Sequence, residues 1–211
     1  LSETKLVTAF AGSFIVTSGL EFFTNFDTAY SLNALSNDLQ AQTEYNVLQF
    51  FRKIIFYGNF AVSSLILSIG SKNNHSKRFV FGFTLASGLT IGLGGSLVFY
   101  LIQPLILSIL KQDFHQVSEQ TFLTFLFFTT LMSAAYLLSN WLLSIKKRAY
   151  LFIPIIASSL QFVIFITAEK NLNGMINAFI LSSGIFFALV LLAGIYEVFI
   201  SKDKEILESR V

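Results

Sequence analysis

The chain has 211 residues, 54% of them hydrophobic and 12% charged, with no Cys and a formal net charge of +2. Soluble domains carry about 25% charged residues, so this composition, with a mean hydropathy of +0.69, excludes an ordinary water-soluble fold and reads as an integral membrane protein. It also excludes a disulfide framework, a thiol nucleophile and a Cys-held metal, and it offers no basic stripe for nucleic acid. The chain opens on Leu1 rather than Met, which is expected of a processed chain or of a fragment of a longer protein, and the absence of a cleavable signal pattern favours the fragment.

A helix needs about 20 apolar residues to cross roughly 30 Å of hydrocarbon. Six stretches meet that length, and no dyad alternation suggests a strand. The first covers residues 6–26, with a stripe of Ser13, Thr17, Glu21, Thr24 and Thr28 at helical spacing. Glu21 is expected either to pair with Arg52 of the next span or to hold a proton or cation. Asp27 falls at the outer membrane edge as an exposed carboxylate, with a functional role as the alternative. Residues 27–44 are polar and acidic and suit a short surface helix.

The second span, 47–69, carries Arg52 and Lys53. An ionised side chain at bilayer depth costs about 2.5–3.5 kcal/mol on insertion scales, so it faces a cavity or a partner, or it reaches for the interface. Tyr45, Gln49, Arg52, Asn59 and Ser63 form one polar stripe. Two readings stand: a wet, cationic lumen suited to an anionic headgroup, or two side chains snorkelling to the outer surface.

The third span, 79–102, repeats small residues at Thr84, Gly88, Gly92 and Ser96, a spacing that lets helix backbones approach closely. Tight packing is the first reading and a gating hinge the second. Pro104 removes a helical hydrogen bond, so a kink and a short interfacial helix are expected over 104–110. The fourth span, 122–145, holds Ser133, Tyr136, Asn140 and Ser144, and the fifth, 150–167, holds Ser158 and Gln161. These polar groups are expected to bond between helices. Trp141 is expected to anchor the cytoplasmic interface. The sixth span is 175–200, followed by a charged tail at 201–211.

Six spans put Lys5, Lys72, Lys77, Arg78, Lys146, Lys147, Arg148, Lys202, Lys204 and Arg210 on one side, against Lys111 and Lys170 on the other. Both termini are therefore expected in the cytoplasm. His75 and His115 lie in loops on opposite sides, so no metal site and no cofactor are expected. No phosphate-binding P-loop or nucleophile elbow is present, which points away from an enzyme and leaves no catalytic residue to name.

Several segments resemble the C-terminal half of a polysaccharide (O-antigen type) flippase of the multidrug/oligosaccharidyl-lipid/polysaccharide exporter superfamily. They are Thr24-Asn25-Phe26-Asp27; Glu44-Tyr45 followed by Phe51-Arg52-Lys53-Ile54-Ile55; the stretch from Tyr136 to Lys147; and Asn173-Gly174-Met175. The chain departs from that pattern at Thr43-Glu44, Leu67-Ser68 and Lys111-Gln112. The resemblance implies an all-α, six-helix bundle forming half of a pseudo-symmetric transporter of twelve or more helices, with an N-terminal partner bundle. It implies a bacterial-type cytoplasmic membrane and a polyprenyl-diphosphate-linked oligosaccharide as substrate. Arg52 would meet the diphosphate, with Lys53, Gln49, Tyr45, Asn59, Glu21 and Asp27 lining the path. The alternatives are a cation-coupled multidrug exporter of the same superfamily, with Glu21 as its coupling site, and a membrane-embedded glycosyltransferase using Asp27. The longest outer loop, near 18 residues, argues against the last.

Overall fold

The computed structural model describes residue 22 and residues 25–71, 76–110, 117–145 and 148–200. Every element among them is helical. A helical segment at 25–34, here α1, leads through a tight turn into α2 (Leu39–Ser71). There follow α3 (Lys77–Leu110), α4 (Glu119–Ser144), a 3₁₀ turn (Arg148–Leu151), α5 (Phe152–Thr167) and α6 (Leu172–Ile195), closed by a π-helical turn (Tyr196–Ile200).

Four helices are long and apolar enough to cross a membrane: Lys77–Ile109, Glu119–Ser144, Ala149–Thr167 and Leu172–Ile200. They match the third to sixth expected spans, as a membrane protein requires. The first expected span, with Glu21, lies outside the described residues, as do His75, His115 and the tail. The second forms a 33-residue helix, α2. At about 1.5 Å per residue it is long enough to cross, but the polar stripe lowers its apolarity and it is not one of the four.

Two expectations about element ends are corrected. The segment 27–44 does hold a short helix, the 25–34 segment α1, but α2 starts within it, at Leu39 rather than at 47, where Asp38 caps it, its Oδ1 accepting from the Ala41 backbone N–H at 2.9 Å. Hydropathy alone hides this, since a polar turn of helix outside hydrocarbon looks like a loop. Pro104 does not start a separate interfacial helix either, because α3 runs through it to Leu110. One missing donor is tolerated where the helix's other bonds persist.

The starts of α4 and α6 are also capped by side chains. Ser118 accepts from the Thr121 N–H at 3.1 Å to open α4, and Asn171 accepts from the Gly174 N–H at 2.7 Å to open α6. Gly174 is required there, because a Cβ would strike the carbonyl of Glu169.

The bundle is built around α4, which touches α2, α3 and α6. Its apolar character runs all round, as expected of a central helix, and two of its polar side chains, Ser133 and Asn140, bond to α2. Asn59 Nδ2 of α2 donates to Ser133 Oγ, and Asn140 Nδ2 donates to Ser63 Oγ at 2.8 Å. The small-residue stripe of α3 packs directly on α4: a Cβ on Gly88 would stand 2.5 Å from Ala134 Cα, and one on Gly92 would stand 2.7 Å from Thr130 Cα. Ser96 Oγ lies 3.2 Å from Thr130 Oγ1 in the same seam. This is the close packing expected of the stripe.

Trp141 is corrected. It is buried rather than set in an interface, with its ring 5.4 Å from that of Phe81 and against Gly194. An aromatic near the end of an apolar run reads as an anchor only when that face meets lipid, and this face of α4 meets α3 and α6.

Candidate functional site

Four of the expected site residues meet at one place. Tyr45, Gln49 and Arg52 lie on one face of α2 at spacings of four and three residues, and all turn toward Asp27 of α1. Arg52 Nη2 donates to Asp27 Oδ1 at 3.0 Å, and Nη1 lies 2.9 Å from Oδ2. Gln49 Nε2 donates to Oδ2 at 2.6 Å, and the Tyr45 hydroxyl donates to the same oxygen at 3.3 Å. The Thr28 N–H adds a bond to Oδ1 at 2.9 Å. One carboxylate therefore collects a guanidinium, an amide, a phenol and a backbone donor.

The whole group is sealed. Asp27 and Tyr45 are 0% exposed, Arg52 1% and Gln49 2%. Asp27 is thus corrected from an exposed edge carboxylate to the buried counter-charge of Arg52. The cause is α2's extra N-terminal turns, which carry Tyr45 and Gln49 over it. Arg52 is turned inward and does not snorkel. Its carbon Cζ stands 5.1 Å from the ring centroid of Phe179 on α6, and that ring lies 4.5 Å from the ring of Phe125. A buried guanidinium is tolerated because its charge is matched and its flat face rests on an aromatic surface.

Lys53 and Asn59 do not join this cluster. Lys53, about 100° further round the helix, is half-buried. Asn59 lies two turns along and serves the α2–α4 contact described above. Phe26 fixes α1 from behind, with rings of Phe162 and Phe165 on α5 at 5.3 and 6.1 Å.

A second buried carboxylate escaped the sequence reading. Glu197, in the π-helical turn, is 0% exposed. It accepts from Lys77 Nζ at 2.6 Å and from the Tyr150 hydroxyl at 2.6 Å, tying together the start of α3, the turn before α5 and the end of α6. The signal was present: an ionisable residue inside the sixth expected span calls for a partner. Glu197→Ala is expected to lower stability by about 1–3 kcal/mol. Lys77→Ala should cost less, since the Lys77 side chain is 47% exposed and water screens its charge. Thermal unfolding of the two variants in detergent gives the order.

A third carboxylate, Glu44, is 3% exposed and accepts from the Val117 N–H at 3.0 Å, fastening the start of α2 to the segment before α4. Among the described residues no group of three His, Asp or Glu side chains could hold a metal ion.

The fold and site define a helical membrane protein with a charge pair enclosed inside its bundle. No protein-family model, curated protein or solved structure matches the chain.

Proposed function

We propose that this chain is one helix bundle of a transporter that flips a polyprenyl-diphosphate-linked oligosaccharide across the cytoplasmic membrane by alternating access. On this reading six spans form the bundle, a second bundle faces it across a central cavity, and both chain ends lie in the cytoplasm. The bilayer and that partner bundle are its structural neighbours.

The observation that supports the reading is the buried Asp27–Arg52 pair with its Tyr45 and Gln49 donors. A guanidinium enclosed at this depth needs an anion at every stage, because removing its counter-charge leaves a buried, uncompensated ion. Asp27 supplies that anion in the closed arrangement. A diphosphate entering the site would take over Arg52 through the same bidentate geometry, so the cation exchanges one anion for another. Gln49 and Tyr45, released from Asp27, would donate to phosphate oxygens, and Lys53 would add a second positive charge. Lacking a P-loop, the cycle would draw on an ion gradient or the membrane potential.

Glycan-lipid translocation by the full-length gene product in proteoliposomes tests this. Arg52→Ala is expected to reduce translocation on the order of thirtyfold or more, the loss of one partner of a buried charged contact, with membrane insertion intact. Lys53→Ala should reduce it less. Translocation that survives in both single variants and in the double variant would reject the assignment.

The same pair supports a second reading, a cation-coupled multidrug exporter. Asp27 cancels the charge of Arg52 and would serve as the coupling carboxylate in place of Glu21. Drug efflux abolished by Asp27→Asn, with no glycan-lipid movement by the unaltered protein, would select it.

A further inference from the structure

At the end of the bundle marked by Glu197, the exposed surface combines cationic and aromatic side chains. Lys77 and Arg78 stand side by side at the start of α3, both exposed. Lys77 reaches inward to Glu197, yet its side chain stays 47% open. The Arg78 guanidinium carbon lies 5.1 Å from the ring centroid of Phe199 in the π-helical turn, which fixes the charge against that turn. The first turn of α3 contains no acidic residue, and Glu197 is fully buried, so among the described residues the outward charge here is cationic.

Directly beside these charges the surface is apolar and aromatic. Phe79 is 57% exposed and Phe199 50%, and Phe79 stacks on Phe83 with ring centroids 6.2 Å apart. Cations flanked by open aromatic rings, at the end of a helix long and apolar enough to cross a membrane, complement a molecule that is anionic at its head and apolar below it. Neither a soluble anion nor a protein surface needs both features together.

We propose that Lys77 and Arg78, with Phe79 and Phe199, form a binding site for an anionic phospholipid, the phosphate on the two cations and the acyl chains along the rings. The occupant is a lipid of the surrounding bilayer and not the transported substrate, and the site is separate from the Asp27–Arg52 cluster. A bound headgroup would share Lys77 with Glu197 and so brace the junction of α3 with the end of α6.

Native mass spectrometry of the full-length protein, purified in detergent and exposed to equal concentrations of phosphatidylglycerol and phosphatidylcholine, tests the site. Phosphatidylglycerol is expected to be retained preferentially. Arg78→Gln, which leaves the Lys77–Glu197 bond in place, should weaken that retention about fivefold, the effect of one basic residue near an anionic headgroup. Arg78→Lys should restore most of it, and inorganic phosphate at the same concentration should not displace the lipid. Equal retention of the two lipids, unchanged retention in Arg78→Gln, or displacement by phosphate alone would each overturn the proposal.

Discussion

Asp27→Ala is expected to destabilise the protein by about 3–5 kcal/mol, the cost of stranding one member of a buried ion pair. Asp27 is 0% exposed and answers four donors. Without it the Arg52 guanidinium keeps Phe179 but loses its anion, and Gln49 and Tyr45 lose their acceptor. Arg52 cannot escape to the surface without leaving the α6 contact. Asp27→Asn keeps an acceptor oxygen but no charge and should fall between the two. The paired replacement Asp27→Leu with Arg52→Met removes both charges and keeps apolar bulk, so it should recover most of the lost stability. Thermal or denaturant unfolding of the purified protein reads the series, and a loss in the double variant as large as in Asp27→Ala would count against the pairing.

Gly88→Val is the second large effect. Its Cβ would sit 2.5 Å from the Cα of Ala134, a backbone atom that cannot swing away as a side-chain tip can. Relief requires α3 to move off α4, opening the seam that also holds Gly92 against Thr130 and Ser96 against Thr130. Overpacking of this kind costs about 1–3 kcal/mol or more. Gly82 and Gly94 give the internal control, because a Cβ at either position meets nothing within 4 Å. Gly94→Val should therefore be close to neutral by the same unfolding measurement. If Gly88→Val and Gly94→Val are equally mild, the α3–α4 backbone contact is not as close as described.

Periodicity and apolar length were enough to place the third to sixth spans, because a helix in hydrocarbon must satisfy its backbone internally and this leaves few alternatives. They were not enough to end the helices. The start of α2 at Leu39 depends on the Asp38 cap, and the run of α3 through Pro104 depends on the bonds that remain around one missing donor. The small-residue stripe of α3 was legible because its spacing is itself the packing geometry. The role of Trp141 was not, since an aromatic near the end of a span looks the same whether it meets lipid or Phe81.

The candidate site was half legible. One helical face carries Tyr45, Gln49 and Arg52, and their spacing alone brings them together. Their counter-charge was not readable: Asp27 lies 25 residues from Arg52, and only the turn between α1 and α2 determines that the two meet. Phe179 was invisible for the same reason, since nothing in a string of apolar residues distinguishes the one that lies under a guanidinium. Glu197 was more accessible, as a carboxylate inside an expected span that demanded a donor. Its donors, Lys77 and Tyr150, lie 120 and 47 residues away, and tertiary packing alone selects them.

A double-mutant cycle on Asp27 and Arg52 tests the central claim most directly. Unfolding free energies of the unaltered protein, Asp27→Leu, Arg52→Met and the double variant give the coupling between the two side chains without reference to any substrate. A buried, bidentate pair whose double replacement recovers most of either single loss predicts a coupling of about 3 kcal/mol or more, the upper end for residues in one charged network. Single-variant effects that simply add, to within about 0.5 kcal/mol, would contradict it and leave Arg52 without the partner on which both the closed site and the proposed anion exchange depend.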